Sequence, residues 1–416
     1  MTTLYLGMTD ADAAPTDLFN FLKPFHETLS PGLQNKTMFR DEGQWRSLRP
    51  LPGKEVAETQ QFLEKAGFLQ PGNVDGIFGY RTRAAVRLFQ EYVRTIEKRP
   101  DIGWPDGVVG EKTREEMDRW AREEKVCEWA QYSLDNPTPE FTKWWSVLDQ
   151  AKKAYEANPP AIFKITEAYN AKLRRRGIRS DTRDLSEWTF NHNEAHLIGI
   201  RRNQDIRASE IRQNDDLFVL LVKGMAFKFW GSTDPNPMEA KRPDEPFLTE
   251  GQHLYKIGFH KFSNTQKAYL ALKPLTNGPL IFRDKTNADA LTDENVKTGI
   301  SGPNNSINIH WSGIGSYNFS AGCQVIAGQS YMNHNNEVID CSAFASKSYG
   351  GLKKVAGLPR KTKGAYNVIS DLVSVYRPAS QKVLVYTLGR DSTLKAAEGF
   401  TEDYARKTVR QLKEIH

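Results

Sequence analysis

A chain of 416 residues is too long for one ordinary hydrophobic core and long enough for two or three. At 39% hydrophobic and 26% charged it has the composition of a globular protein, and no run of about 18 apolar residues is present to span a bilayer. A net charge of +6 and a pI near 8.9 suit contact with an anionic polymer but are too small an excess to select one, which leaves function to the motifs.

Residues 1–49 carry Pro15, Pro24 and Pro31, with a short helix expected around Leu18–Leu22 and irregular structure elsewhere; no function is assigned to them. From Val56 the pattern turns helical. Val56, Leu63 and Ala66 share a face, Gly67-Phe68 stops the helix, and a second helix carries Val86, Phe89 and Val93. Between them the turn Asp75-Gly76-Ile77-Phe78-Gly79-Tyr80-Arg81-Thr82 is echoed by Asp106-Gly107-Val108-Val109-Gly110-Glu111-Lys112-Thr113. Asp-Gly supplies a turn with positive φ, the second glycine lets the backbone turn again, and the threonine is expected to cap the following helix.

With Thr59-Gln60-Gln61-Phe62-Leu63, Ala85-Val86 and Phe89-Gln90 around these turns, residues 50–125 resemble a peptidoglycan-binding domain of the three-helix type. The resemblance implies wall contact through Asp75, Gly76, Gly79, Asp106, Gly107 and Gly110. Residues 126–194 read as a polar helical linking region, broken at Asn136-Pro137-Thr138-Pro139 and Asn158-Pro159-Pro160. Its basic cluster at Lys172–Arg176 is a solvated helix face or a contact for an anionic polymer.

After Leu197 short apolar or alternating runs mark strands at Leu197–Ile200, Leu217–Val222, Ala226–Trp230, Leu254–Ile257, Leu280–Phe282, Ile307–Ile309 and Val383–Leu388. Residues 195–390 therefore form a β-rich domain, followed by a C-terminal helix at 391–416. The expected fold class is multidomain α+β.

Three cysteines, Cys127, Cys323 and Cys341, are too few for a disulfide framework and too scattered for a zinc ribbon. Cys323 alone has a chemical setting: it follows Phe319-Ser320-Ala321-Gly322, thirteen positions after His310 in Ile309-His310-Trp311-Ser312. A thiol attacks only as thiolate, so it needs a base beside it, and His310 is the candidate, within hydrogen-bonding reach at the floor of an open groove. Small residues before the sulfur would free backbone N–H groups, with the Ser320 hydroxyl, for an oxyanion, and a carbonyl in Trp311-Ser312 could fix the His310 tautomer. Cys127 and Cys341 are expected buried or paired with each other.

This stretch resembles the L,D-transpeptidase family, with support from Phe229–Pro235, Gly251–Tyr255, Gly258-Phe259-His260-Lys261 and Phe282-Arg283-Asp284. Ala321 stands where the family has a second His, Val325 where it has Arg or Asn, and the His-to-Cys spacing is short. The resemblance implies a catalytic set of Cys323, His310, Ser320 and Gly322, attack on a stem peptide, and an acyl-enzyme resolved by water or an amine. Gln324 contacts substrate or braces the turn, Trp311 and His260 line the cleft, and His260 is alternatively a surface histidine beside Lys261. No metal, cofactor, nucleotide or nucleic acid is required; the partner is peptidoglycan, glycan and stem peptide.

Two other readings stay open. His192-Asn193-Glu194-Ala195-His196 has helical i, i+4 spacing for zinc, in the wrong order for a metalloprotease. A non-catalytic wall-binding or phage-structural protein would use only the helical module. Met1–Asp10 has no basic stretch followed by an apolar one, so action at the wall or periplasm is expected through lysis, injection or specialised secretion, as for a lysin or antibacterial effector.

Overall fold

A computed structural model describes residues 2–13, 38–41, 44–202, 213–240, 245–261, 269–283, 299–352, 354–355, 358–359, 361–395, 397 and 400–415. The helix expected at Leu18–Leu22 and Asp284 lie outside them. Three helices build the first unit: α1 (Glu55–Lys65), α2 (Tyr80–Thr95) and α3 (Glu111–Arg122). Phe68, just past the end of α1, lies edge-on to Phe89 at 5.5 Å and tilted against Trp120 at 5.7 Å, so the three helices share one aromatic centre.

Residues 2–13, expected to be irregular, belong to this unit. Leu4 exchanges backbone hydrogen bonds with Val109 in the second turn, and Phe78 N–H in the first turn donates to Met8 O. One extended segment thereby ties both turns together, and β1 (Met8–Thr9) pairs in parallel with β2 (Arg49–Pro50). Its buried Asp10 carboxylate accepts from Val56 N–H at 3.0 Å and Ala57 N–H at 2.8 Å, supplying the N-terminal anchor that Lys54 at the cap position does not provide.

The β-rich part is a ten-stranded sheet that closes on itself. Its main strands are β3 (His196–Arg201), β4 (Asp216–Val222), β5 (Met225–Ser232), β6 (Gly251–His260), β7 (Tyr269–Pro274), β8 (Ile309–Trp311), β9 (Gln324–Met332) and β10 (Leu384–Arg390). The spatial order is β7-β8-β9-β5-β4-β3-β10-β6, and β6 returns to pair with β7, which makes a barrel. Two neighbours run parallel, β8 with β9 and β10 with β3; the other pairs in the ring are antiparallel.

Helices cover the strands, which explains why β3, β4 and β5 are buried along their whole length rather than at alternate positions. Outside the barrel α4 (Pro139–Ala157) and α5 (Ala161–Arg174) present Trp144, Trp145, Leu148 and Phe163 to Ile198, Val219, Leu221 and Trp230. Within residues 126–194, expected to link two domains, α4 and α5 are therefore a layer of the second unit, while Trp129 packs edge-on to Phe68 and Tyr92 of the first. The C-terminal α7 (Glu402–Lys413) joins the same layer through Val409 and Leu412, so it is not a separate segment. Lys172, Arg175 and Arg176 at the end of α5 remain exposed, as a solvated helix face would.

The two units are welded. α6 (Ala365–Tyr376) packs along α2 inside one continuous core, and Arg87 on α2 makes a two-pronged ion pair with Asp371 on α6, 2.8 Å from Nε and 2.5 Å from Nη2, both side chains buried. Tyr331 on β9 donates to Glu91 at 2.7 Å, and the Tyr376 hydroxyl donates to Gly67 O at 2.9 Å. Burial lifts the Glu91 carboxyl to about 7 against the pull of Tyr331. Cys127 and Cys341 are buried free thiols, not a disulfide. Among the described residues no helix is long and apolar enough to cross a membrane.

Candidate active site and the paired turns

The two turns are built alike, through residues that the sequence pattern undervalues. Gln60 Nε2 donates to Asp75 Oδ1, Ile77 O and Thr82 Oγ1, while its Oε1 accepts from the N–H groups of Asp75 and Gly76. Gln90 repeats this with Asp106, Val108 O, Thr113 and the Gly107 N–H. Thr82 and Thr113 therefore lock the turns rather than cap the helices, whose N-cap positions are Gly79 and Gly110 with no side-chain cap. Gly76 and Gly107 have φ of 69° and 77°, as Asp-Gly turns need. Gly107 also faces Arg83 and Arg87, where a Cβ would come within 2.6 Å of a side-chain carbon, so this turn presses on α2. All six residues expected at the wall contact are used in turn construction; Asp75 is also exposed.

The chemistry-bearing residues meet at the parallel junction of β8 and β9. Ile309 pairs with Gln324 and His310 with Val325, so Asn308 stands opposite Cys323, and two-residue alternation puts 308, 310 and 323 on one face. The connection between these strands is pinned by buried amides. Asn214 Nδ2 donates to Gly315 O and Tyr317 O, Asn236 Nδ2 to Asn318 O, and Asn318 Nδ2 to Asp234 O.

His310, Trp311, His260, Ser320, Gly322 and Cys323 line one pocket of about 490 Å³. His310 Nδ1 lies 2.9 Å from Trp311 O and 3.3 Å from the Tyr269 hydroxyl. A carbonyl only accepts, so the Nδ1 proton points to it and Nε2 keeps its lone pair; Nε2 has no partner among the described residues. Burial, with lesser pushes from Lys261 and Lys273, lowers the His310 imidazole to about 4, so it is neutral at pH 7.

The thiol of Cys323 is half-buried and donates to Ser306 O at 3.2 Å while accepting from Asn308 N–H at 3.4 Å. Among the described residues it makes no hydrogen bond to His310, contrary to the sequence expectation. The reason is register: Cys323 faces Asn308, and His310 is its diagonal neighbour. Burial raises the thiol above its ordinary value, and the Asn308 N–H with Lys273 and Lys261 pulls against that. The resting pair is thus thiol and neutral imidazole.

Ser320 and Gly322 do other work than their expected roles, and Gln324 takes the second of the two expected for it. Ser320 is buried; its hydroxyl donates to Cys323 O at 2.7 Å and accepts the Gly322 N–H at 3.1 Å, so it braces the cysteine turn and is not free to donate to a ligand. Gly322 has φ of 153°, and a Cβ there would come within 2.6 Å of Pro246, so backbone freedom and close approach require the glycine. Its N–H is committed to Ser320, whereas the Cys323 N–H has no partner among the described residues. Gln324 is fully buried, donating to Thr233 O at 3.1 Å and accepting from the Tyr386 hydroxyl, which makes it a brace and not a substrate contact.

His260 is no surface histidine. It is buried, stacked on His310 with ring centroids 4.0 Å apart, and its Nδ1 lies 3.2 Å from Asn308 Nδ2. Burial and the neighbouring His310 drive its imidazole strongly toward the neutral form. Trp311 lines the pocket with its ring edge-on to Tyr349 at 5.4 Å. Sequence reasoning missed Asn308, which touches both the sulfur and His260; its signal was the two-residue step from His310 on a strand. The His192–His196 segment is a turn entering β3, so the two imidazoles share no helix face: His192 stacks on Trp145, and His196 Nε2 pairs with Thr387 Oγ1 at 2.9 Å.

Residues 52–96 match the family described as "Putative peptidoglycan binding domain", which covers α1, the first turn and α2 and ties the helical unit to the cell wall. No curated protein and no solved structure matches the chain at a significant level.

Proposed function

We propose that the chain is a peptidoglycan-active cysteine enzyme of L,D-transpeptidase-like type, cleaving or exchanging stem-peptide bonds through an acyl-enzyme at Cys323. The observation that carries this reading is the presence, in the lining of one open pocket, of a thiol and a neutral imidazole whose proton is held on Nδ1 and whose Nε2 is uncommitted. That is the base form a thiol nucleophile requires.

In the proposed reaction the thiol turns from Ser306 O and gives its proton to His310 Nε2 as sulfur attacks the scissile carbonyl carbon. The uncommitted Cys323 N–H is the donor nearest the oxyanion. Collapse of the tetrahedral adduct breaks the C–N bond, and the departing amine takes the proton back from His310, leaving a thioester. Water, the default acceptor, then attacks with His310 again as base, and the acid and free thiol are released; an amine acceptor would give exchange instead. We favour hydrolysis, that is, carboxypeptidase or endopeptidase action at the wall, as in a lysin or antibacterial effector.

Mass spectrometry of muropeptides after incubation with the wild type and Cys323→Ala tests this. Shortened or exchanged stems are expected only with the wild type; identical profiles in both samples would remove the enzyme reading. A non-catalytic wall-binding protein is the second reading, favoured by the resting thiol's bond to Ser306 O in place of His310. It predicts no selective modification of Cys323 by a thiol probe at neutral pH.

A further inference from the structure

The pocket's charged groups are unevenly distributed. Among the described residues its lining includes two ammonium groups, Lys261 and Lys347, and one carboxylate, Glu239. Glu239 is already engaged, accepting the Tyr317 hydroxyl at 2.9 Å, and Tyr317 in turn packs edge-on to Phe319 at 4.5 Å. Glu239 therefore belongs to the wall formed by the β8–β9 connection.

Lys261 ends the β6 side of the barrel, and its Nζ sits 5.1 Å from the Tyr349 ring centroid; Lys347 is two residues before that tyrosine and is exposed. Lys347 Nζ has no hydrogen bond or ion pair among the described residues, and exposure lets a long side chain swing toward a ligand at little cost. Tyr349 meets Trp311, whose carbonyl orients His310. Both cations line the same pocket as the imidazole, and Lys261 is near enough to act electrostatically on both His310 and Cys323.

We infer that Lys261 and Lys347 form a carboxylate-recognition subsite that selects an acyl donor bearing a carboxylate close to the scissile amide. The inference rests on the reading of the pocket as a stem-peptide site and gives it a specificity: the ligand is an anionic peptide, and its charge is sensed beside His310, the group that returns a proton to the leaving amine. A stem peptide offers carboxylates from two sources, the terminal carboxyl and a side-chain carboxyl, and both have the chemistry that two ammonium groups recognise.

The test uses full-length Cys323→Ala, which cannot turn over, and calorimetric titration with three ligands: a free stem tetrapeptide, the same peptide amidated at its C-terminus, and the same peptide amidated on its side-chain carboxyl. One amidated form should bind at least about tenfold more weakly than the free acid, the loss expected for a charge-assisted contact. Which form weakens identifies the carboxylate. Lys347→Gln or Lys261→Gln in the same background should weaken the free acid and erase its advantage over that amide. Circular dichroism of the variants checks the fold.

Equal affinity for all three peptides, no binding of any of them, or an equal loss for acid and amide in the lysine variants overturns the inference. Failure of the enzyme reading would look different: carboxylate selectivity that depends on the lysines, with no muropeptide turnover by the wild type. Turnover without selectivity is the converse, in which the enzyme stands and the subsite falls.

Discussion

Removing one partner of the Arg87–Asp371 pair measures how firmly the helical unit is joined to the barrel. In Arg87→Met the Asp371 carboxylate stays buried without its cation, and breaking a buried pair from one side costs about 3–5 kcal/mol. Burial already outweighs the arginine in the intact protein, raising Asp371 to about 6. A raised folded-state pKa means that the folded form binds this proton more tightly than the unfolded chain. Its contribution is therefore fully present below the unfolded carboxylate value near pH 4 and is lost as pH rises through about 6. Loss of Arg87 pushes Asp371 higher still, so the deficit of the variant should be largest at pH 8 and shrink toward pH 5 as the carboxyl protonates. Urea unfolding of wild type and variant at both values gives the comparison. The double change Arg87→Met with Asp371→Leu should recover most of the loss, because no charge is left stranded. A deficit below about 1 kcal/mol at pH 8, or one that grows on acidification, would refute the reasoning.

Three further outcomes are expected. If muropeptides are turned over, the acid limb of kcat/KM should fall near pH 4, where His310 gains its proton and ceases to be a base; a limb near the ordinary histidine value would mean that burial does not control this imidazole. Iodoacetamide at neutral pH should modify Cys323 alone in the folded protein: burial raises all three thiols, but of them Cys323 lines the open pocket while Cys127 and Cys341 are sealed in the core, and rapid labelling of either buried thiol would contradict the packing. Gln60→Ala should destabilise the protein by about 1–3 kcal/mol, because it strands the buried Gly76 N–H, while Thr82 keeps its bond to Ile77 O and the exposed Asp75 can turn to water; thermal unfolding showing a loss below about 1 kcal/mol would count against it.

Short-range patterns were readable before any coordinates. The paired Asp-Gly turns, the helices between them and the strands around Leu217, Ala226 and Val383 follow from spacing and composition. What could not be read is the partner each element chooses. Trp144, Trp145 and Leu148 announce an amphipathic helix, and nothing local says that the helix lies on β3, β4 and β5 instead of bridging two domains. Asp10 caps a helix 46 residues away, and Arg87 meets Asp371 across 284 residues.

The candidate site divides along the same line. By itself the sequence determined that a cysteine preceded by small residues follows a strand histidine and that a backbone carbonyl beside that histidine could orient it, because those relations are local and depend only on residue type and period. Tertiary structure alone decided which face of the β8–β9 pair holds the sulfur, that Asn308 rather than His310 touches it, that Ser320 and Gln324 are braces, and that His260 stacks in from another strand. Strand register and barrel closure set those contacts, and both arise from packing among segments far apart in the chain, a free-energy balance that no local pattern carries.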